Sequence, residues 1–189
     1  DRTALLNGGS IGGFSTASVL SGAEQNIYAV AVAGGGAGTV AVNGSSTSNI
    51  LDGSERAAID GTTFTNTCSL TVSAAQGERT IWSLAGAVSG AGTTAVGVAN
   101  ANNIILAKRE ASISNATLAL SGALIAESGG SANIRSAAVG AGGAGTAAVG
   151  GSVAVNVVDG EENASLSNVT VTSGSGVTVQ VIRGDVDIK

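Results

Sequence analysis

Apolar residues alternate with small or polar residues along most of this chain. The pattern is clearest near the end, where Val177, Val179 and Val181 occupy every second position. Alternation with a period of two, interrupted by Gly, Asn and Ser, is typical of β-strands. The best candidate for a helix is the short segment 102–110 (NNIILAKRE), which is long enough for only one or two turns. We therefore predict an all-β protein.

The alternating segments recur at a fixed interval. The tetrapeptide Gly-Ala-Gly-Thr occurs three times, at offsets of 54 and 53 residues, beginning at Gly36, Gly90 and Gly143. Six sets of apolar residues keep the same offsets: Ile27, Ile81 and Ile134; Val42, Val96 and Val149; Ile50, Ile104 and Val157; Ile59, Ile113 and Leu166; Phe64, Leu118 and Val171; Leu70, Leu124 and Val177. Such self-similarity predicts a tandem-repeat architecture.

The repeats divide the chain into one continuous array, 1–189. We assign a partial repeat to 1–26, three full repeats to 27–80, 81–133 and 134–187, and the start of a further repeat to 188–189. Each repeat opens with a strand (28–33 in the first), followed by a glycine cluster and a second strand (39–43). A charged segment, predicted to be a solvated bend, comes next at 52–56, 107–110 and 159–163. Two short strands, at 57–64 and 69–73 in the first repeat, complete it.

A unit of four short strands cannot bury its own apolar face, so neighbouring units must stack. In a parallel β-helix, or β-solenoid, equivalent residues of successive coils lie about 4.8 Å apart and form ladders of like side chains. If one coil takes roughly 18–25 residues, each repeat supplies two or three coils. The fold predicted is then a parallel β-helix of about eight to ten coils and on the order of 40–50 Å long.

The opening strand has no polar face. Val30 and Val32 lie on one side, and the other side carries only alanine. A strand without a polar face is normally covered on both sides. One hypothesis makes the Ala/Gly stripe a surface for self-association; the other makes it the lining of a flattened solenoid interior. The stripe consists of Ala29, Ala31, Ala33, Gly36 and Gly38.

Composition narrows the classes of partner. The net charge of −5 and the lack of any basic cluster beyond Lys108–Arg109 argue against nucleic acid. The longest apolar run, 27–42, is shorter than the roughly 20 residues of a spanning helix, so no membrane span is expected. The single cysteine, Cys68, is expected to pack as a small apolar residue. Because Met is absent, we expect a segment of a longer product whose signal peptide and anchor lie outside it.

Candidate chemistry is sparse. The chain has no His, which removes most catalytic triads and His-based zinc sites. The glycine run 34–38 has no following Lys or helix, and 142–146 lacks the aspartate of calcium-binding repeats. Two carboxylate groups could suggest glycosidic chemistry, but neither has an aromatic platform, and we interpret both as solvated. They are Asp185 with Asp187, near Arg183, and Asp159 with Glu161 and Glu162. We predict no enzyme and no catalytic, cofactor-binding or metal-binding residue.

Two surface patterns invite other interpretations. Thr-x-Thr occurs at 63–65 and 170–172, as on ice-binding faces, but the second repeat has Thr117 followed by Ala119, which breaks the second ladder. Three sequons for N-glycosylation begin at Asn115, Asn163 and Asn168, and would matter only in a glycosylating host.

Three low-complexity stretches carry a resemblance: AVAVAGGGAGTVAVNG, AVGAGGAGTAAVGGSVAVNVV and SNVTVTSGSGVTVQV. The chain resembles the repeats of filamentous-haemagglutinin-like and leukotoxin-like large adhesins, which are exported by two-partner or autotransporter secretion. The resemblance implies a right-handed β-helical stalk on the bacterial outer surface, extracellular, without catalytic residues, and serving adhesion through a host or matrix glycan or protein receptor.

The function expected is therefore a structural or adhesive β-solenoid segment of a large extracellular or cell-surface protein, with self-assembly into fibres as an extension. A carbohydrate-acting β-helix of the tailspike or polysaccharide-lyase type is the first alternative. An ice-binding or glycan-binding module is the second.

Overall fold

A computed structural model describes residues 1–172 and 174–189, and within them every regular element is a strand. The segment 102–110, the helix candidate, lies inside a strand. The twelve strands are β1 (Arg2–Asn7), β2 (Ser10–Gly12), β3 (Thr16–Gly22), β4 (Gln25–Ala37), β5 (Val40–Asp60), β6 (Thr63–Thr67), β7 (Ser69–Gln76), β8 (Glu78–Ala91), β9 (Thr94–Leu120), β10 (Ala123–Ala144), β11 (Ala147–Thr172) and β12 (Gly176–Ile188).

The strands form two sheets in which the hydrogen-bonded neighbours run parallel. The first, sheet A, has the order β1-β5-β9-β6-β2, with β11 also paired to β9. The second, sheet B, has the order β3-β7-β10-β8-β4, with β12 also paired to β10. The chain runs along sheet B, turns, and returns along sheet A, so the sheets are the two walls of a coil. The prediction of an all-β chain with parallel strands is confirmed.

One coil takes 53 or 54 residues. Ile27 pairs with Ile81, which pairs with Ile134, and Ile134 pairs in turn with Ile188. The predicted coil of 18–25 residues is therefore wrong. The chain makes between three and four wide coils, stacked to a height of about 15–20 Å, rather than a long narrow rod.

The wide coil arises because the charged segments do not bend. Asp52–Arg56, 107–110 and 159–163 lie within β5, β9 and β11, and β9 alone is 27 residues long. Alternate residues of these segments point into the coil. The prediction of solvated bends is wrong, since the interior supplies partners for the charges that point inward.

The interior narrows from one end of the coil to the other. At the wide end, the last part of β5 with β6 and β7 encloses a cluster of large apolar side chains. Its largest members are Ile59, Phe64, Leu70, Ile113, Leu118 and Leu124. Midway, Ile81, Ile105 and Ile134 form a second, smaller cluster. Beyond it, the apolar cluster between the sheets consists of alanines: Ala85, Ala87, Ala99 and Ala101.

At the thin end, the two backbones approach so closely that no side chain fits at several positions. A Cβ at Gly97 would overlap the carbonyl oxygen of Ala141, and a Cβ at Gly140 would overlap that of Gly151. Glycine is the residue that permits such close backbone approach. The Gly-rich segments thus allow the coil to close as a flat blade.

The Ala/Gly stripe lies partly inside this blade. Ala29, Ala31 and Ala33 share their columns with Ser83, Ala85 and Ala87, which are fully buried between the sheets. The flattened-interior hypothesis therefore describes these alanines, and they do not form an outer surface for self-association. Gly36 faces outward beside Gly90, and Gly38 lies at the turn into β5.

One corner of the coil is built on left-handed backbone. Gly8, Gly61, Asn115 and Asn168 occupy equivalent positions with φ between 50° and 70°. Asn is among the few residues that adopt this conformation readily. The amides form a ladder, since Asn168 Nδ2 donates to Asn115 Oδ1 at 2.8 Å. Asn115 Nδ2 donates onward to Asp60 Oδ1, also at 2.8 Å.

Substituting Gly97→Ala should lower the free energy of unfolding by about 1–3 kcal/mol, because the new methyl group meets backbone that must move. The matched control is Gly90→Ala in the same coil, where an added Cβ meets nothing within 4 Å. It should change stability by less than about 1 kcal/mol. Urea unfolding monitored by circular dichroism measures both, and equal effects would show that the blade is not closed as described.

Candidate functional site

A column of charged residues runs through the interior between the wide end and the second apolar cluster. Arg2 pairs in register with Glu55, Glu55 with Arg109, and Arg109 with Glu162. The signs alternate along the column. From the opposite sheet, Arg79 at the start of β8 points toward the same point. We call Glu55, Arg79, Arg109 and Glu162 the buried charge ladder.

Glu55 is the centre of the ladder. Its Oε2 accepts a hydrogen bond from Arg109 Nε at 3.1 Å, and its Oε1 lies 3.4 Å from Arg79 Nη2. Arg109 Nη1 lies 3.4 Å from Glu162 Oε1 in the next coil. The side chains of Glu55, Arg79 and Arg109 are each at most 2 % exposed. The ladder therefore links three successive coils through ion pairs shielded from water.

Backbone carbonyls accept further hydrogen bonds from both guanidinium groups, while Arg79 Nε has no hydrogen-bond partner among the described residues. Arg79 donates from Nη1 to the carbonyl of Leu106 at 2.8 Å and from Nη2 to that of Gly53 at 3.1 Å. Space for the other guanidinium is made by Gly130, where a Cβ would lie 2.7 Å from Arg109 Cζ. Gly130 in sheet B thus has to be glycine because Arg109 in sheet A occupies the space of its Cβ.

The ladder carries two positive and two negative charges, so its net charge is zero. Burial lowers the pKa of the Arg79 guanidinium, and the neighbouring Glu55 carboxylate opposes that shift. A buried charge is tolerated when it is paired and hydrogen-bonded, and it is costly when one partner is removed. Because its charges are paired with one another inside the coil, the ladder is suited to fixing structure. Two of its members, Arg109 and Glu162, also line an open pocket.

A second buried ladder lies farther toward the thin end. Asn49 donates to Asn103 Oδ1, and Asn103 donates to Asn156 Oδ1, each at 2.8 Å. Asn156 also exchanges hydrogen bonds with Ser136 across the two sheets. Stacked amides bonding along the coil axis thus join the same three coils at a second point.

The outer side of the same strands carries exposed charges. Lys108 Nζ lies 3.7 Å from Glu161 Oε2, and Arg56 Nε lies 3.4 Å from Glu110 Oε2. These side chains line a shallow open pocket on sheet A. Exposed ion pairs of this kind contribute little to stability, and the pocket mixes both signs of charge.

Several of the charged residues singled out by sequence line one open pocket: Asp159, Glu162, Arg183 and Asp185, together with Arg109. Asp159 and Glu161 are exposed, whereas Glu162 is the inward partner of Arg109. Asp187 is not among the residues that line this pocket, and Lys189 Nζ is 2.8 Å from its Oδ2. In residues 1–172 and 174–189, no three His, Cys, Asp or Glu side chains are grouped so that they could hold a metal ion.

The threonine pattern forms one ladder along the stacking direction. Thr63, Thr117 and Thr170 are paired in register, with Ser10 in the coil below. The neighbouring column contains Ala119, so the second row is broken, as the sequence indicated. Of the sequon residues, Asn115 and Asn168 belong to the corner ladder, and Asn163 is exposed on β11.

Cys68 does not pack in the core. It is exposed at the corner between β6 and β7, where its amide donates to the carbonyl of Phe14 at 3.1 Å. The expectation of a buried thiol is wrong because Thr67 takes the inward position at this corner.

The three comparisons with known proteins, made against family models, curated proteins and solved structures, returned no match for this chain. Among the described residues, none belongs to a helix long and apolar enough to cross a membrane.

Replacing Arg109 by Leu should lower the free energy of unfolding by about 3–5 kcal/mol, because Glu55 and Glu162 lose their shared partner inside the coil. The control, Lys108→Leu, removes the adjacent but outward charge, whose pair with Glu161 is about three-quarters exposed. Its effect should stay below about 1 kcal/mol. Guanidinium chloride screens ion pairs, so urea is the appropriate denaturant, and similar losses in both variants would contradict the ladder.

Asp60 provides a pH-dependent contribution. Hydrogen bonds from Ser114 and Asn115 hold the pKa of its carboxyl below the usual 3.8. Because the folded-state pKa is depressed, the contribution is present above 3.8 and is lost as the pH falls through the folded-state value. Carboxyl NMR titration should give a pKa below 3.8 for Asp60, and Ser114→Ala should move it upward. A titration at or above 3.8 in the wild type would contradict the corner geometry.

Proposed function

We propose that the chain is a structural β-solenoid segment of a large extracellular or cell-surface protein. Its coils are right-handed and are built from tandem repeats of 53–54 residues, and the segment acts as a spacer that resists deformation. It performs no catalysis itself. The resemblance to large secreted adhesins supports the location and the adhesive setting of the parent protein.

The observation that carries this proposal is the in-register pairing of whole coils. β9 pairs along its length with β5 and β6 on one side and with β11 on the other. Removing a terminal coil therefore breaks two long rows of backbone hydrogen bonds together with the ion pairs of the buried charge ladder. A segment built in this way unfolds one coil at a time under force. Its length stays constant until a whole coil unfolds.

The distribution of charged side chains supports a non-catalytic role. Glu55 and Glu162 are neutralised by arginines inside the coil, and Asp60 is held by the corner amides. Glu110 and Glu161 pair with exposed cations on neighbouring coils. Each of these carboxylates forms an ion pair or a hydrogen bond with a residue of a neighbouring coil. This arrangement is expected of a stack of coils that is stabilised by its own contacts.

Pulling single chains by atomic force microscopy, with marker domains fused at both ends, tests the proposal. We expect stepwise unfolding with releases of one coil, a contour length of about 190 Å for 53–54 residues. The Arg109→Leu variant should release its coils at lower force than Lys108→Leu, because only the former breaks the buried ladder.

Extension without resistance before the marker domains unfold would refute the spacer role. Catalysis is tested separately by incubating the chain with a panel of polysaccharides and assaying new reducing or unsaturated ends. Such products would replace the structural function with the carbohydrate-acting alternative.

A further inference from the structure

The outer face of sheet B in the thin half of the coil is apolar and uncovered. The side chains of Tyr28 and Val32 are each 73 % exposed, and Val88 in the middle coil is 58 % exposed. Trp82, stacked on Tyr28, is 41 % exposed. Val88 and Trp82 have a coil both below and above them, so stacking does not hide them. Exposed apolar faces of this kind mark interaction sites.

The shape of this face is complementary to the same face of a second copy. Along the strands, side chains shrink from an aromatic column toward glycine columns near the turn. At the centre, two adjacent outward columns alternate in opposite phase. The first contains Val32, Gly86 and Val139; the second contains Gly34, Val88 and Ala141. Each valine of one column therefore has a glycine or alanine beside it in the other.

We propose that two copies of this chain associate through this face as a two-fold symmetric dimer. The axis runs parallel to the stacking direction, between the two central columns. Rotation about it keeps each coil at its own height and reverses the strand direction. Val32 then meets Gly34 of the second copy, Gly86 meets Val88, and Val139 meets Ala141. An isologous contact of this kind is self-complementary by symmetry.

The flanking columns extend the fit. With the same axis, Leu84 lies against Gly90 of the second copy, and Trp82 lies against Gly92 at the turn. Bulky side chains therefore meet glycines on both sides of the axis. Gly90 has open space around it, since an added Cβ there would contact nothing within 4 Å. The glycines of the second copy therefore leave space for the aromatic side chains at the interface.

Charge also favours a second copy as the occupant. The outward columns from Tyr28 to the turn carry two charged residues, Arg135 and Lys189, and both lie in the aromatic column at the outer edge of the patch. Glu24 and Glu78 lie on the side of the aromatic column away from the turn. In the dimer they extend past the thin end of the second copy and remain exposed to water. Like charges are thus not buried against each other, although the chain has a net charge of −5.

The size of the patch sets the strength of the association. Three coils and about ten residues along the strand give roughly 500 Å² per copy, or about 1,000 Å² in total. This is near the lower limit for a specific interface. The dimer is therefore weak and concentration-dependent for three coils. The inference rests on the proposed structural role and adds lateral association to it.

Exchanging a knob and a hole tests the proposal. In the dimer, Gly86 of one copy leaves the space that Val88 of the second copy occupies. Gly86→Val fills this space and should weaken dimerisation about tenfold or more, although it makes the face more apolar. Val88→Gly should weaken it by removing the knob. The double variant Gly86→Val/Val88→Gly restores one valine against one glycine at this height and should regain wild-type association. Sedimentation equilibrium from micromolar to millimolar protein measures all four chains, with circular dichroism to verify folding.

Each outcome decides the proposal. A wild type that is monomeric throughout this range overturns it, as does a folded Gly86→Val that associates as well as the wild type or better. A folded double variant that does not recover also overturns it. Val98→Glu, on the outer face of sheet A, should leave the dimer intact; loss of the dimer would place the contact on the other face. The single-chain force measurement is independent of association, so failure here leaves the spacer role standing.

Discussion

The buried charge ladder gives the stack its register, and the rest of the structure depends on that register. A slip by one residue between neighbouring coils would expose every inward side chain. A slip by two residues would keep the faces and bring Glu55 opposite Ala107 or Ala111 instead of Arg109. The Ala and Val columns resist such a slip weakly, since neighbouring columns resemble each other. An unpaired buried charge resists it by several kcal/mol.

The interior narrows because the side chains that line it become smaller along the coil. Ile, Leu and Phe hold the sheets apart at the wide end, alanines bring them closer, and Gly97 and Gly140 let the backbones meet. Small side chains bury little apolar area, at about 25 cal/mol per Å². Backbone pairing and the asparagine ladder therefore contribute a larger share of the cohesion in the thin half than in the wide half.

The sequence predicts the strands and the residue columns well, because alternation and the 53–54-residue offset are both visible in it. Ile27 and Ile81, or Phe64 and Leu118, are indeed paired across the ladder. Coil length is not visible, since an offset states which residues match and not how often the chain turns between them. Charged residues usually face water, and this rule predicts bends for the charged segments. The alignment of Glu55 with Arg109 and Glu162 was the available signal, for it follows the offset of the apolar columns.

Large side chains on the outside of the thin half follow from the same narrowing. Where alanine and glycine fill the interior, Val, Tyr and Trp have no inward position to occupy, and they project from the outer faces. Such a blade can bury its larger apolar side chains only against another surface. The approach of the two backbones requires glycine at the inward positions. It places no such requirement on the outward valines and glycines. The fold of a single chain therefore does not require that a valine in one outward column stand beside a glycine or alanine in the next. The alternation of Val32, Gly86 and Val139 beside Gly34, Val88 and Ala141 has a physical use when a second copy meets it.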